Sequence, residues 1–508
     1  MSPLSPPHAW RKVWPFFVAY TLLPVLAADH FFFWDTVQLA SKHAHWYWDQ
    51  NFRYLLLPDG IDSGHPPLFG MYIALGWKLF GRSLVTSHLL MLPFAWLIVW
   101  QAYRLVSAYV GARWVAPALA LVLAEPSLPA QLTLVSPDAA LMAFFLWAIN
   151  AARRERRGAL AVALTLLALV SMRGMMCCVV VFAYDVFCRR QTADGSRQTG
   201  GQKTLDAVDR PSPSPDGQPA AVTESTSVFG LRPSVKYLWP YAMGALPAVL
   251  FLVYHYVAKG WVGYHADSPW APSFERVGAA GVVRNVGLVG WRLLDFGRVF
   301  VWVVGGALGV FLLRKRSVVD RRSLRELLFL TSAVVVMLTP TLVLYRYLVG
   351  HRYLMPHYLA VNLLVAWVLF RAPLSDRRRW GGWSVALVGL LTGHLWVYPD
   401  RIAQGWDATL AHWGYYEVRR ELMDEVRGRG LDPTEVGSDF PNLATFRHID
   451  LAGGDSAFVA KDLTKHRYVL WTNVYNGFTD AELAELEEEW TVLREARSGL
   501  VRGRLYSK

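Results

Sequence analysis

Apolar runs recur along the chain at 13–28, 84–103, 114–128, 136–152, 158–171, 174–188, 236–258, 296–313, 327–348, 354–371 and 382–398. Several reach the roughly 20 residues that a helix needs to cross a hydrocarbon layer. Leu84 to Tyr103, Tyr237 to Ala258 and Leu327 to Tyr347 are examples. The pattern predicts an α-helical polytopic membrane protein with about eleven transmembrane helices.

Short basic clusters separate the runs: Arg11 and Lys12; Arg104 and Arg113; Arg153, Arg154, Arg156 and Arg157; Arg189 and Arg190; Arg314 to Arg325; and Arg377 to Arg379. Lys and Arg favour the cytoplasmic side of a membrane. Placing every cluster there yields one consistent topology, with the N-terminus inside and the C-terminus outside. It requires 158–188 to be a hairpin of two spans turning near Arg173 and Gly174. It also makes the apolar stretch Pro66 to Phe80 a helix lying at the outer interface. The first run, from Val13, is expected to remain as a helix and act as its own insertion signal.

Four domains follow. Residues 1–190 form an N-terminal transmembrane module with a long first outer loop at 29–83. Residues 191–235 include "DRPSPSPDGQP", too poor in apolar residues to pack, and read as a disordered cytoplasmic linker. Residues 236–399 form a second transmembrane module, with an outer loop at 259–295. Residues 400–508 are polar and predict a small α/β domain on the outer face. Its helix candidates are 413–429 and 479–488, the latter opened by Thr479 as N-cap. Its strand candidates are 466–474 and 500–507.

Composition agrees with this reading. Hydrophobic residues make up 54% and charged residues 18%, against about 25% charged in ordinary soluble proteins. Disordered, collagenous and coiled-coil chains are excluded. The net charge of +12 would suggest nucleic acid in a soluble protein. Here the basic residues sit at the ends of apolar runs and are explained by topology, so no nucleic-acid partner is expected. Cys177, Cys178 and Cys188 lie in or beside an apolar stretch. They offer neither a disulfide framework nor zinc spacing.

Ionisable side chains at membrane depth are costly and mark candidate sites. Under this topology they gather on the outer side: Asp35, Asp62, His65, Asp138, Arg173, Arg346, His351, Arg352 and His357. Asp35, in "FFFWDTVQLA", reads either as a helix N-cap or as a proton acceptor. Asp62 and His65, in "DSGHPPLFG", read as a turn or as a site floor. Ser136 and Asp138 cap the helix of "SPDAAL" or bind a hydroxylated substrate or metal. Arg173, Arg346 and Arg352 snorkel at the boundary or clamp a phosphate. Trp46, Tyr47, Trp48, Trp261 and Trp270 read as an interfacial aromatic belt, or as sugar-stacking faces.

Four segments in order resemble polytopic glycosyltransferases of the GT-C type, particularly family 39. This family includes protein mannosyltransferases and the lipid A aminoarabinose transferase. The segments are the acidic "FFFWDTVQLA", "GHPPLFGMYIALGWKLFGRSLVTSHLLMLP" (64–93), "SPDAALMAFFLWAINAARRERRG" (136–158) and "HRYLMPHYLAVNLL" (351–364). The family commonly shows Asp-Glu in the first, whereas this chain has Asp35-Thr36.

The resemblance implies a polyprenyl-phosphate sugar donor, an envelope acceptor and inverting transfer on the outer face of the plasma membrane. It implies Asp35 as general base, with Asp62 as a second carboxylate. It also implies Arg173, Arg346 and Arg352 around the leaving phosphate. No cofactor is demanded, although Asp35, Asp62, His65 and Asp138 could hold a divalent metal. The alternatives are a transporter or flippase of lipid-linked or small solutes and an inactive GT-C homologue. A transporter often shows an internal repeat, and none is evident here.

Overall fold

The computed structural model describes residues 6–208, 235–268, 271–315, 320–400, 402–452 and 454–508. All eleven apolar runs are helical over most of their length. The first half contains α1 (Pro6–Leu26), α2 (His43–Asp49), α3 (Leu68–Phe80), α4 (Leu84–Leu89), α5 (Leu92–Tyr109), α6 (Val115–Leu123), α7 (Ser127–Thr133), α8 (Pro137–Arg153), α9 (Arg157–Val170) and α10 (Met172–Val208). The second contains α11 (Val235–Lys259), α12 (Ala279–Leu294), α13 (Arg298–Lys315), α14 (Arg321–Leu344), α15 (Met355–Arg371) and α16 (Asp376–Thr392).

Among the described residues, four helices are long and apolar enough to cross a membrane unaided: Leu84–Tyr109, Tyr237–Lys259, Arg321–Leu344 and His351–Arg371. Two bent pairs raise this to six. The remaining predicted spans are shorter or carry more charge; among them α1 still exposes Val18, Leu22 and Val25, and α16 exposes Val385, Val388 and Leu391. Helices α8 and α15 are buried along nearly their whole length. By contrast, α11 exposes Leu246, Val249, Leu250, Val253 and Val257, the surface expected of a helix against lipid.

Two expectations are corrected. The segment 191–235 begins as a continuation of α10, which runs to Val208; residues 209–234 lie outside the described residues. The loop 259–295 contains α12, which the sequence reading missed because three glycines and two arginines interrupt its apolar pattern. This helix buries mainly Asn285 and Val289. Asn285 Nδ2 donates to the carbonyls of Val343 and Tyr345 at 3.1 and 2.8 Å, tying α12 to the end of α14.

Both helix breaks are shaped by named residues. Helices α6 and α7 meet at 65° around Glu125, and α12 and α13 at 86° around Asp295 to Gly297. Gly297 has φ +78°, and a Cβ there would fall 1.8 Å from the Gly389 carbonyl oxygen, so only glycine fits. Arg298 pairs with Glu125 across the two breaks. It also donates to Ser127 Oγ at 2.9 Å and stacks on Tyr358 at 3.8 Å. A buried guanidinium with a matched carboxylate fixes one geometry, because either partner alone would be an uncompensated charge.

The C-terminal residues form the small α/β domain that was expected. It contains α17 (Gly414–Gly428), β1 (Val436–Ser438), α18 (Phe446–Ile449), β2 (Val459–Ala460), β3 (Tyr468–Thr472), α19 (Asp480–Glu488), β4 (Thr491–Ser498) and β5 (Val501–Ser507). The sheet order is β2-β1-β3-β5-β4. Strands β1 and β2, and β1 and β3, run parallel; β3–β5 and β4–β5 are antiparallel. Thr479 and Glu482 complete a capping box at α19. Phe31 and Phe33, just past α1, pack on Tyr415 of α17, and Phe32 N donates to the Ile449 carbonyl at 2.9 Å. One apolar core therefore continues from the bundle into this domain.

Candidate active site

The start of α8, the start of α10, the segment before α15 and the α12–α13 break all lie at one end of the bundle, under the C-terminal domain. The turns there are strained. Trp34 (φ 57°), Val135 (φ 53°) and Phe296 (φ 49°) are non-glycine residues in the left-handed region. Each stands next to, or within three residues of, a buried carboxylate: Asp35, Asp138 and Asp295 respectively. Such conformations cost about 1–3 kcal/mol each and recur where side chains must be aimed. Residues Val37–Lys42 after Asp35 form a π-helical turn, another device common at sites.

The centre of the cluster is Arg352, in a short turn (His351–Leu354) ahead of α15. Its guanidinium is nearly fully buried and is surrounded by three carboxylates. Asp35 is in direct contact; Asp407 Oδ2 lies at 3.5 Å and Asp138 Oδ2 at 3.7 Å. Arg173 Nη1 donates to Asp138 Oδ1 at 2.6 Å, and its guanidinium lies 3.9 Å over the Tyr353 ring. Arg352 also donates to Tyr353 Oη at 2.7 Å. Three carboxylates thus face two guanidiniums. Asp407 belongs to the C-terminal domain; burial pushes its carboxyl above the usual range, and the Arg352 charge opposes that shift.

A cavity of about 380 Å³ opens beside this cluster, lined by Asp35, Ser63, Arg292, His351, Arg352, Asp407 and Gln404 among others. On its far wall His351 Nε2 shares a hydrogen bond of 2.8 Å with Asp295 Oδ2, and Asp295 also accepts from Tyr398. Arg292 donates to Tyr398 Oη at 3.1 Å. His351 Nδ1, Arg292 Nε and Gln404 Nε2 are buried without a partner. Arg292, His351 and Gln404 all line the cavity, so this wall is polar and suited to a polar ligand.

Of the side chains proposed from the sequence, Asp35, Asp138, Arg173 and Arg352 come together, and His351 lines the same cavity. His65 lies close enough to Arg173 to feel its charge. Burial first, and then that charge, push its imidazole down to about 4, so it is neutral at pH 7.

Three candidates lie elsewhere. Asp62 is buried but is held by Lys259 Nζ at 2.6 Å and His255 Nε2 at 3.0 Å. It anchors the first outer loop to α11, because a buried carboxylate takes whatever cations are nearest. Arg346 pairs with Glu275 at 2.8 Å, both about half exposed. It is carried away from the cavity by the isolated bridge between Arg276 and Tyr345. His357, in the first turn of α15, meets Thr339 Oγ1 of α14 at 3.1 Å.

The four side chains named for a divalent metal are divided between these places. Among the described residues no group of three or more His, Cys, Asp or Glu side chains gathers as metal ligands. Thr36, which replaces the family's Glu, turns back on the main chain: its Oγ1 donates to the Phe33 carbonyl at 2.6 Å.

Asp407, Arg292, Asp295 and Tyr398 are site residues the sequence reading did not single out. Asp407 and Tyr398 lie in or next to the polar tail, and Arg292 and Asp295 in a region read as loop. Their only local signal is charge beside aromatic residues, which surface segments also show.

No protein-family model matches the chain, and no curated protein matches it in sequence. Among solved structures, ArnT from Cupriavidus metallidurans bound to undecaprenyl phosphate superposes with a TM-score of 0.53, covering 98% of each chain at 13% identity. The chain has the ArnT fold. The apo state of the same protein superposes at a TM-score of 0.48, with 13% identity over 97% of each chain. At this identity the likeness shows the architecture alone. The ArnT fold is the GT-C arrangement that the four sequence segments resemble, and the match extends through the C-terminal domain.

Proposed function

We propose that this protein is a membrane glycosyltransferase that moves a sugar from a polyprenyl-phosphate donor to an envelope acceptor with inversion. The observation that carries the reading is the buried Asp35–Arg352 pair at the edge of a polar cavity. A phosphate leaving group needs cations, and an acceptor hydroxyl or amine needs a base; this pair supplies one of each.

In the proposed step, the donor phosphate takes Arg352, assisted by Arg173, from their carboxylates. This releases Asp35. Asp35 removes the proton from the acceptor as the acceptor oxygen or nitrogen bonds to the anomeric carbon. The bond from that carbon to the phosphate oxygen breaks, and polyprenyl phosphate leaves with the electron pair. No covalent enzyme intermediate forms, so the configuration inverts. Asp407 stands on the acceptor side as a second carboxylate. His351, held by Asp295, and Arg292 face the rest of the donor. The ArnT structure that shares the fold was bound to undecaprenyl phosphate, which supports a donor lipid of this class.

The orientation has a structural argument. The basic ends meet at the opposite pole from the cavity: Arg153 pairs with Glu326 at 2.8 Å, and Arg113 with Asp376 at 3.3 Å. With that pole cytoplasmic, the cavity and the C-terminal domain lie outside, in the plasma membrane's outer boundary.

The test uses full-length protein in nanodiscs with radiolabelled undecaprenyl-phosphate mannose, glucose or aminoarabinose and a crude envelope acceptor. Acceptor-dependent release of undecaprenyl phosphate is expected from at least one donor. Passage of intact donor across a sealed vesicle, with no release, would instead establish the transporter reading.

A further inference from the structure

The seam between the bundle and the C-terminal domain is rich in histidine. His30, just past α1, stacks on Tyr416 of α17 at 3.8 Å between ring centres. His412, in the turn Leu410–Trp413 that leads into α17, stacks on Phe33 at 5.4 Å. His88 of α4 and His394, in the turn after α16, bring their charges to bear on His412. On the other flank, His45 of α2 meets His448 of α18 edge to face at 4.8 Å. Two main-chain carbonyls of α18 are tied to the bundle there: Ser41 Oγ donates to His448 at 2.6 Å and Phe32 N to Ile449 at 2.9 Å.

Two of these histidines are held neutral by geometry. His412 Nδ1 lies 2.6 Å from the Thr409 carbonyl, and His45 Nδ1 lies 2.8 Å from the Ser41 carbonyl. A carbonyl only accepts, so in each ring Nδ1 carries the hydrogen and Nε2 the lone pair. Both Nε2 atoms are buried without a hydrogen-bond partner. A proton placed there would make a buried cation with no acceptor, which is a far larger penalty than a bare lone pair.

The neighbours add to this. The histidine–carboxylate pairs among the described residues are at His255 and His351, so neither His412 nor His45 has one. His412 is faced by His88 and His394 from the bundle and by His30. His45 is faced by His448, Arg82 and Arg447. The nearby acids are engaged: Asp29 with Arg420 at 3.2 Å and Asp49 with Arg447 at 2.5 Å. Lys42 and Asp455 act on His448 with opposite sign. Burial pushes the His412 imidazole down to about 4 and that of His45 down to about 3, in each case against its bond to a carbonyl.

We propose that His412 and His45 form a pH-sensitive lock on the C-terminal domain: neutral, they leave it seated on the bundle, and their protonation in acid releases it. The sign follows from the direction of the shifts. Both imidazoles titrate lower when docked than the free value of about 6.5. Docking is therefore unopposed above pH 6.5 and weakens as pH falls from there toward 4. Between pH 7.5 and 5 the undocking constant should rise about thirtyfold for each of the two histidines. Asp407 stands in the turn Trp406–Ala408, five residues before His412, so release withdraws it from the reaction cavity. Loss of transfer in acid rests on the transferase reading; the release itself does not.

The test is hydrogen exchange by mass spectrometry on the full-length protein in nanodiscs, from pH 7.5 to 5, with rates corrected for the intrinsic pH dependence of exchange. Protection of residues 406–413 and of α17 is expected to fall about a hundredfold or more, while α8 and α15 keep theirs. His412→Phe and His45→Phe keep a flat ring that cannot take a proton. Each should shrink the fall by about tenfold or more, and the double variant should shrink it further. The wild-type profile needs no variant, so a variant that fails to fold leaves the test intact. No activity is read, so failure of the transferase reading and failure of this one are distinguishable.

Three results would overturn the proposal. One is protection of 406–413 and α17 that stays flat to pH 5. Another is a fall shared equally by α8 and α15, which would be unfolding of the whole molecule. The third is a fall unchanged in the double variant, which would assign the acid response to other groups.

Discussion

Asp35→Asn separates two roles that the Asp35–Arg352 pair combines. Asparagine keeps the shape of the side chain but cannot take a proton. A positioned general base contributes a factor of about 10²–10⁴, or roughly 3–5 kcal/mol of barrier at 1.36 kcal/mol per decade. Turnover should fall by that factor. Donor binding should move the other way. In the unliganded protein Asp35 is the carboxylate in direct contact with Arg352, while Asp407 and Asp138 stand at 3.5 and 3.7 Å, beyond a normal hydrogen bond. A hydrogen bond to a charged group contributes about 1.5–3 kcal/mol. A phosphate that no longer has to displace Asp35 should therefore bind about tenfold tighter or more, at about 1.4 kcal/mol per decade. The assays are turnover with the active sugar donor and equilibrium binding of undecaprenyl phosphate, both in nanodiscs. Turnover within tenfold of wild type would refute Asp35 as the base. Unchanged or weaker lipid binding would refute the competition of phosphate and Asp35 for Arg352.

Other outcomes follow from the same contacts. Asp62→Ala leaves Lys259 and His255 without their shared carboxylate and should cost about 3–5 kcal/mol of stability, read by thermal unfolding in detergent; turnover per folded molecule should change far less than in Asp35→Asn. Arg298→Met should cost a similar amount by stranding Glu125, whereas the double variant Glu125→Leu with Arg298→Met should recover much of it; equal losses in single and double variants would contradict the paired-break argument.

Asp407 supplies a pH test. Its carboxyl is raised in the folded state, chiefly by burial, so ionisation opposes folding. The penalty is absent below the unfolded value of about 3.9 and grows as pH rises toward and through the folded value. The stabilisation of Asp407→Asn over wild type should therefore increase from pH 4 upward, measured as the difference in melting temperature; a difference that is flat or shrinks with pH would be the contrary result. Thr479→Ala removes one half of the α19 capping box and should cost about 1 kcal/mol, checked by the same melting experiment.

What was legible in the sequence was local. The eleven apolar runs became helices because their side chains, repeated over 14–23 positions, leave the backbone no better way to satisfy its hydrogen bonds. Ser136 and Thr479 cap helices as their positions indicate, with side chains accepting from main-chain N–H groups two and three residues on. The strands at 466–474 and 500–507 paired with each other in register, Tyr468 opposite Ser507. Arg173 and Arg352 were placed at one level by counting basic clusters across the membrane. That argument needs charge and order only.

Which charges meet was decided by the tertiary structure. Asp62 and Asp138 looked alike in sequence, each an acid beside a proline or glycine turn. One fell beside Lys259 and became an anchor, and the other beside Arg173 and Arg352 and became part of the site. Arg346 is six residues from Arg352 but is drawn to Glu275 at the surface. Asp407 reaches the cavity only because the C-terminal domain sits on the end of the bundle, with Gln131 Nε2 donating to its main-chain carbonyl at 2.7 Å.

Helices and caps are written in contacts a few residues apart, so composition and spacing determine them. The site is written in ion pairs joining residue 35 to 352, 138 to 352 and 352 to 407. In a low-dielectric interior each buried charge is governed by its nearest opposite partner, and only the packed chain decides which one that is.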